Sequence, residues 1–112
     1  MKSSAQKRRN PPKTLSHEAR GWWKKLVADY EFDDEAAFLL LQTALEAFDR
    51  MREAQATIAA DGAVILDRFD QKKAHPSVTT ERDSRSQMIQ ALKSLNLDLE
   101  PLNDGPGRPP GS

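Results

Sequence analysis

DDEAAFLLLQTALEAFDRMREAQATIAADG, residues 33–62, is the segment from which the fold can be read. Phe38, Leu41, Leu45, Phe48 and Met51 recur at steps of three and four, which places them along one stripe of a helix. Leu39 and Leu40 widen the stripe, and the alanines at 44, 47, 54, 56, 59 and 60 keep helix propensity high. Asp33 or Asp34 is suited to cap the start, where Asp34 and Glu35 also set negative charge against the positive end of the helix dipole. Asp61-Gly62 ends it, because glycine takes the left-handed conformation after a helix without a steric penalty. A helix of this length is about 40 Å long at 1.5 Å per residue. That is more apolar surface than one short neighbouring helix covers, and a second subunit is the simplest partner for the surplus. Phe38, Leu41, Leu45, Phe48 and Met51 are therefore candidate positions of an oligomer interface.

Upstream, Ser16 is placed to cap a helix running to about Asp29, with Glu18 in its first turn. Ala19, Trp22, Trp23, Leu26, Val27 and Tyr30 make its apolar face, and Lys24 and Lys25 fall on the other side. Adjacent tryptophans point about 100° apart on a helix, so both cannot enter one small core. The pattern favours Trp22 inside and Trp23 at a half-covered edge, with one of the two available to a subunit interface. Downstream of Gly62, Ala63-Val64-Ile65-Leu66 is short and β-branched and reads as a strand. Phe69 is expected on a return strand across a turn near Asp67–Asp70. A two-stranded ribbon is marginal alone and is expected to pack on the helices or on another chain. Lys72, Lys73 and His75 precede Pro76 in an exposed connection. A third helix is expected to start between Ser77 and Glu81, with Thr80 and Asp83 spaced as a capping box, and to end near Leu95. Met88, Ile89, Leu92 and Leu95 supply its face, and Leu97, Leu99 and Leu102 are expected to fold back on it.

With 112 residues the chain has room for one domain. Residues 1–14, closed by Pro11-Pro12, read as a disordered basic arm, residues 15–102 as the folded unit, and residues 103–112 as a disordered Gly/Pro-rich tail. Cysteine is absent, which excludes disulfides and thiolate metal sites. No run approaches the roughly 18 apolar residues of a membrane span, and MKSSAQKRRNPPK lacks the apolar segment of a secretory signal, so an intracellular setting is expected. Net charge is zero, yet its signs are sorted. Lys2, Lys7, Arg8, Arg9 and Lys13 open the chain without an acid, whereas residues 31–61 hold eight acids against Arg50 and Arg52, a local charge of −6. A basic arm on an acidic body follows.

Nothing in the chain suggests catalysis. His17 and His75 belong to no triad pattern, and two such histidines carry little metal signal. The carboxylates of Asp29, Glu31, Asp33, Asp34 and Glu35 are dense enough for a divalent ion, but helix capping and solvation explain them more simply. A phosphate loop is missing, since Gly105, Gly107 and Gly111 have no helix after them. No cofactor is expected.

The order of these features is itself informative. Leu15-Ser16 opens a helix with Trp22-Trp23, an acidic cap leads into a long Ala-rich helix, Asp61-Gly62 and a strand follow, and Lys72-Lys73-Ala74-His75-Pro76 precedes a last helix. In this order the chain resembles the small terminase subunit family of tailed double-stranded DNA phages, over residues 11–101. The ending Leu95-Asn96-Leu97-Asp98-Leu99-Glu100-Pro101 is longer than the family pattern and lacks its glycine. The resemblance implies a non-catalytic subunit of a genome-packaging motor, acting in the host cell cytoplasm. It also implies a ring-like homo-oligomer, contact with double-stranded DNA, and recruitment of the large terminase subunit, which holds the ATPase and nuclease activities. The expected fold is mainly α, a three-helix subunit with a long central helix and a small β-ribbon. Lys2, Lys7, Arg8, Arg9 and Lys13 are the candidate DNA contacts, extended by Lys24 and Lys25, with Arg82 and Arg85 next in line. Trp22 and Trp23 join the interface candidates of the long helix. Two other readings are an oligomeric adaptor that binds protein only, and a small metal-dependent hydrolase built on the Asp29–Glu35 cluster.

Overall fold

The structure, a computed structural model, describes residues 9–97. Three helices, α1 (His17–Asp29), α2 (Glu35–Asp61) and α3 (Pro76–Ser94), are joined by a ribbon of β1 (Val64–Leu66) and β2 (Lys72–Ala74) between the second and third. This is the mainly helical architecture read from the periodicity. The caps are local and explicit. The Ser16 side chain accepts from the Ala19 N–H and the Asp34 side chain from the Ala37 N–H. At the far end of α2, Gly62 stands at φ 91° and its N–H donates to the Ile58 carbonyl.

α1 runs antiparallel to α2 over its first half. Ser16 donates from its N–H and its hydroxyl to the Asp49 carboxylate at 2.8 and 2.5 Å, while Trp23 reaches the Phe38 ring at 5.9 Å near the start of α2. Phe32, in the connection, lies 5.4 Å from the Phe38 ring. The core is built on this cluster: Leu15, Ala19, Trp23, Phe32, Phe38, Leu41, Leu45, Phe48 and Met51 are all buried.

α3 folds back along α2, and three polar bridges fix the register. Asp61 meets His75, Gln55 meets Glu81 and Arg50 meets Gln87, so each step back along α2 is a step forward along α3. This pair is the dominant interhelical packing of the subunit. Small buried residues, Ala47 and Ala54 on one helix and Ser84 and Ala91 on the other, let the two backbones approach. The apolar surplus of α2 is thus covered largely by α3 of the same chain. Phe38, Leu41, Leu45, Phe48 and Met51 are interior to the subunit.

Three local expectations are corrected. Trp23, 2% exposed, is the core tryptophan and Trp22, 43% exposed, is the edge. Trp23 lies one turn after Ala19 on the line that faces α2, and its indole finds a partner in the Arg9 carbonyl at 2.8 Å. α3 starts at Pro76, ahead of the Ser77–Glu81 window, with His75 as its cap. The His75 Nδ1 accepts from the Ser77 N–H at 3.0 Å, and proline at the first helical position forfeits no hydrogen bond. Thr80 and Asp83 are consequently inside the helix. Phe69 sits in the turn, not on the return strand: β2 pairs Lys72 with Leu66, Lys73 with Ile65 and Ala74 with Val64. Of the two supports expected for the ribbon, the helices of its own chain are barely touched, and the ribbon pairs mainly with itself.

Leu97 is half-buried against the core; Leu99, Leu102 and the tail expected at 103–112 lie outside the described residues. Leu41 is fully buried at the centre of the cluster. Leu41→Ala is expected to lower unfolding free energy by about 2–5 kcal/mol, read by urea denaturation, through reduced burial and the cavity left behind.

Candidate nucleic-acid interface

The cations of the described residues divide by what they touch. Arg9, expected as part of a free arm, is turned inward. Its guanidinium lies 4.2 Å from the Phe38 ring centroid and donates two parallel hydrogen bonds to the Glu35 carboxylate at 2.9 and 2.8 Å. Its carbonyl takes the Trp23 indole proton. The chain from Arg9 to Leu15 is in this way fastened across the start of α2. The paired hydrogen bonds from Arg9, and then its charge, hold the Glu35 carboxyl below its ordinary value of 4.5. Hydrogen bonding to Glu35 correspondingly raises Arg9.

Other arginines are engaged too. Arg52 bridges Glu18 at 3.2 Å, Arg50 donates to Gln87 at 2.9 Å, Arg82 lies 3.7 Å from Asp83, and Arg85 pairs with Glu81 one turn earlier. A hydrogen bond from Gln55, with Arg85 beside it, holds the Glu81 carboxyl below the usual glutamate range. Arg82 and Arg85, the second-choice DNA contacts of the sequence, thus each have an acidic neighbour on α3 itself.

Four of the remaining cations lie on α1 or just before it. Among the described residues, Lys13, Arg20, Lys24 and Lys25 form no ion pair. Arg20 and Lys24 are one helical turn apart and so share a face, with Gly21 between them. A Cβ added at Gly21 would meet nothing within 4 Å. The helix backbone is therefore open at the middle of the basic face. Lys24 also borders a cleft of about 310 Å³ between α1 and the incoming segment Arg9-Asn10-Pro11. Lys25 leans the other way, its Nζ 5.0 Å from the Trp22 ring centroid. From Lys13 to Ala28 the only acid is Glu18, and that carboxylate is held by Arg52. Arg20 was not singled out in the sequence. Its signal was there, four residues before Lys24, on the flank of the apolar face next to Val27.

Lys2, Lys7 and Arg8 lie outside the described residues. The ribbon carries a second unpaired group, Arg68, Lys72 and Lys73, interspersed with Asp67 and Asp70. The carboxylates near the start of α2 do not form a metal centre: Asp34 caps the helix and Glu35 holds Arg9. Among the described residues no three His, Asp or Glu side chains converge to hold an ion. His17 lies beside Ser16 at the level of Asp49, whereas His75 pairs with Asp61 twelve residues further along α2, so the two do not meet. No helix of the described residues is long and apolar enough to cross a membrane.

A helical subunit with an outward cationic helix face and no catalytic constellation among its described residues is the class that fold and surface define. Residues 19–100 match the family described as the small subunit of phage terminase, and the chain belongs to it. It is accordingly a non-catalytic, small-terminase-like protein. No curated protein and no solved structure matches the sequence.

The Arg9 clamp carries its own pH dependence. Glu35 has a lowered value in the folded chain, so its contribution is present above the ordinary 4.5 and is lost as pH falls through that lowered value. The Trp23 indole N–H resonance is expected to move over this acid range in the parent. In Glu35→Gln it should already be displaced at neutral pH and move little on acidification.

Proposed function

We propose that this chain is the DNA-engaging component of a phage genome-packaging machine, and that the outward face of α1 is where it holds the duplex. The observation that carries the reading is the set of four cations, Lys13, Arg20, Lys24 and Lys25, left without acidic partners in a protein whose other described arginines are largely engaged. The family membership supplies the context. Such side chains neutralise phosphates and position a duplex, but phosphate contacts carry no base information. Gly21 lets a phosphate approach the helix backbone between Arg20 and Lys24. Lys2, Lys7 and Arg8, on the segment leading into Arg9, extend the same positive field. The acidic second helix lies behind α1 and repels a second approach.

In this reading the subunit is a ring-like homo-oligomer acting in the host cell cytoplasm. It initiates packaging by holding viral DNA and delivering it to the large terminase subunit. A ring repeats each weak contact, so that high effective concentration substitutes for tight binding by one face. Of the apolar positions proposed for the subunit interface, Trp23, Phe38, Leu41, Leu45, Phe48 and Met51 are interior to the chain and act by shaping the surface. Trp22 is the member that presents area to a neighbour.

The test is the salt dependence of duplex binding. For B-DNA the log–log slope is about −0.9 per neutralised phosphate. Arg20→Ala/Lys24→Ala/Lys25→Ala is expected to weaken binding to specific and random duplexes alike. The slope should flatten by about 0.9 for each phosphate no longer neutralised, with thermal stability and oligomer mass unchanged. A triple variant that binds like the parent across the salt series would exclude this face.

A further inference from the structure

α1 and α3 both lie on α2 but do not pack extensively on each other. The gap between them is an apolar groove of about 290 Å³. Buried Leu45 and Phe48 of α2 line it, with Trp22 and Leu26 of α1 and Met88 and Leu92 of α3.

The way the chain leaves α3 bears on what fills this groove. Leu95 donates its N–H to the Ala91 and Leu92 carbonyls at 3.1 and 3.2 Å, and Asn96 donates to the Lys93 carbonyl at 2.9 Å. Asn96 stands at φ 59°, in the left-handed region that asparagine enters more readily than most residues. The chain is thereby turned off the helix, and the next residue, Leu97, already lines the groove. After it the sequence reads Asp98-Leu99-Glu100-Pro101-Leu102, outside the described residues. In an extended segment Leu99 shares the face of Leu97, and Asp98 and Glu100 take the other. Pro101 favours extended backbone at the residue before it. Five extended residues span about 17 Å, close to three helical turns.

We infer that residues 98–102 close the α1–α3 groove of their own chain, with Leu99 and Leu102 entering it beside Leu97, and so strap α1 to α3. The start of the segment is already in place, because Leu97 lies in the groove. The rim is cationic: Arg52 lines the groove, and Lys25 stands 5.0 Å from the Trp22 ring centroid. Glu18 offsets Arg52 in part, and the remaining positive charge attracts a segment whose polar face is Asp98 and Glu100. The ribbon of a second copy is a poorer occupant. It sets Arg68, Lys72 and Lys73 against Asp67 and Asp70 and is net cationic. The family match runs to residue 100, so the first part of the segment belongs to the matched unit. The inference goes beyond the function proposed above and does not rest on it, since the contact is made within one chain.

The test replaces the two leucines in the full-length protein. Leu99→Ser/Leu102→Ser is expected to raise the equilibrium constant for unfolding about tenfold or more, read by urea denaturation, because apolar area is lost from the groove. The chain holds two tryptophans, whose indole N–H resonances report separately. That of Trp22, on the groove, should move in the variant. That of Trp23, buried and bonded to the Arg9 carbonyl, should stay. Both effects should be the same across about a hundredfold range of protein concentration. Leu102→Ser alone should show the same pattern at smaller amplitude, and it carries the test if the double variant does not fold. Exposed leucines behave differently: an unfolding constant within about twofold of the parent, with the Trp22 resonance unmoved, overturns the inference and leaves the groove to another partner. An effect that appears only as concentration rises assigns the groove to the segment of a second copy, and overturns contact within one chain.

Discussion

The rest of the structure depends on how one long amphipathic helix is covered. α2 spans 27 residues and its apolar stripe runs most of that length. α1, at 13 residues, reaches only from the level of Arg52 to that of Phe38. The second half is covered because Gly62 stops the helix and a five-residue turn between two short strands reverses the chain. α3 then returns antiparallel, and the Ala/Ser packing of α2 and α3 is close because neither helix offers bulk where they meet. Two helices on one support leave a gap between themselves, and the reversal leaves a ribbon standing clear. Both surfaces follow from the same geometry.

Much of this was legible in the sequence. The α2 stripe, its Asp34 cap and its Gly62 stop are local signals, and the structure places them as read. The errors fall where tertiary partners decide. Trp22 and Trp23 both fall on the wide apolar face of α1, where Trp22 is expected inside. What selects Trp23 is Phe38 on another helix and a backbone carbonyl at Arg9, neither visible from periodicity. α3 begins earlier than its hydroxyl and acidic residues suggest because histidine caps it, with Nδ1 toward Ser77 and Nε2 toward Asp61. The surplus of α2 reads as a neighbour's share because α1 is too short to cover it, yet α3 of the same chain does so. Small residues pack a helix pair as effectively and leave a weaker pattern.

The candidate site shows the same division. A count of charge assigns Arg9 to the basic arm, yet its partners, Glu35 and Phe38, are 26 and 29 residues away and appear only in the fold. Removing Arg9, Arg50, Arg52, Arg82 and Arg85 from the pool of unpaired cations shifts attention from the arm to α1, and brings in Arg20. The positive face of α1 and the exposed apolar residues of the ribbon lie on different parts of the chain.

Lysine acetylation footprinting of the full-length protein, with and without duplex DNA, tests the proposed role of the α1 face most directly. DNA is expected to slow modification of Lys13, Lys24 and Lys25 several-fold and to leave Lys72, Lys73 and Lys93 at their DNA-free rates. Protection confined to Lys72 and Lys73, with α1 unchanged, would contradict it.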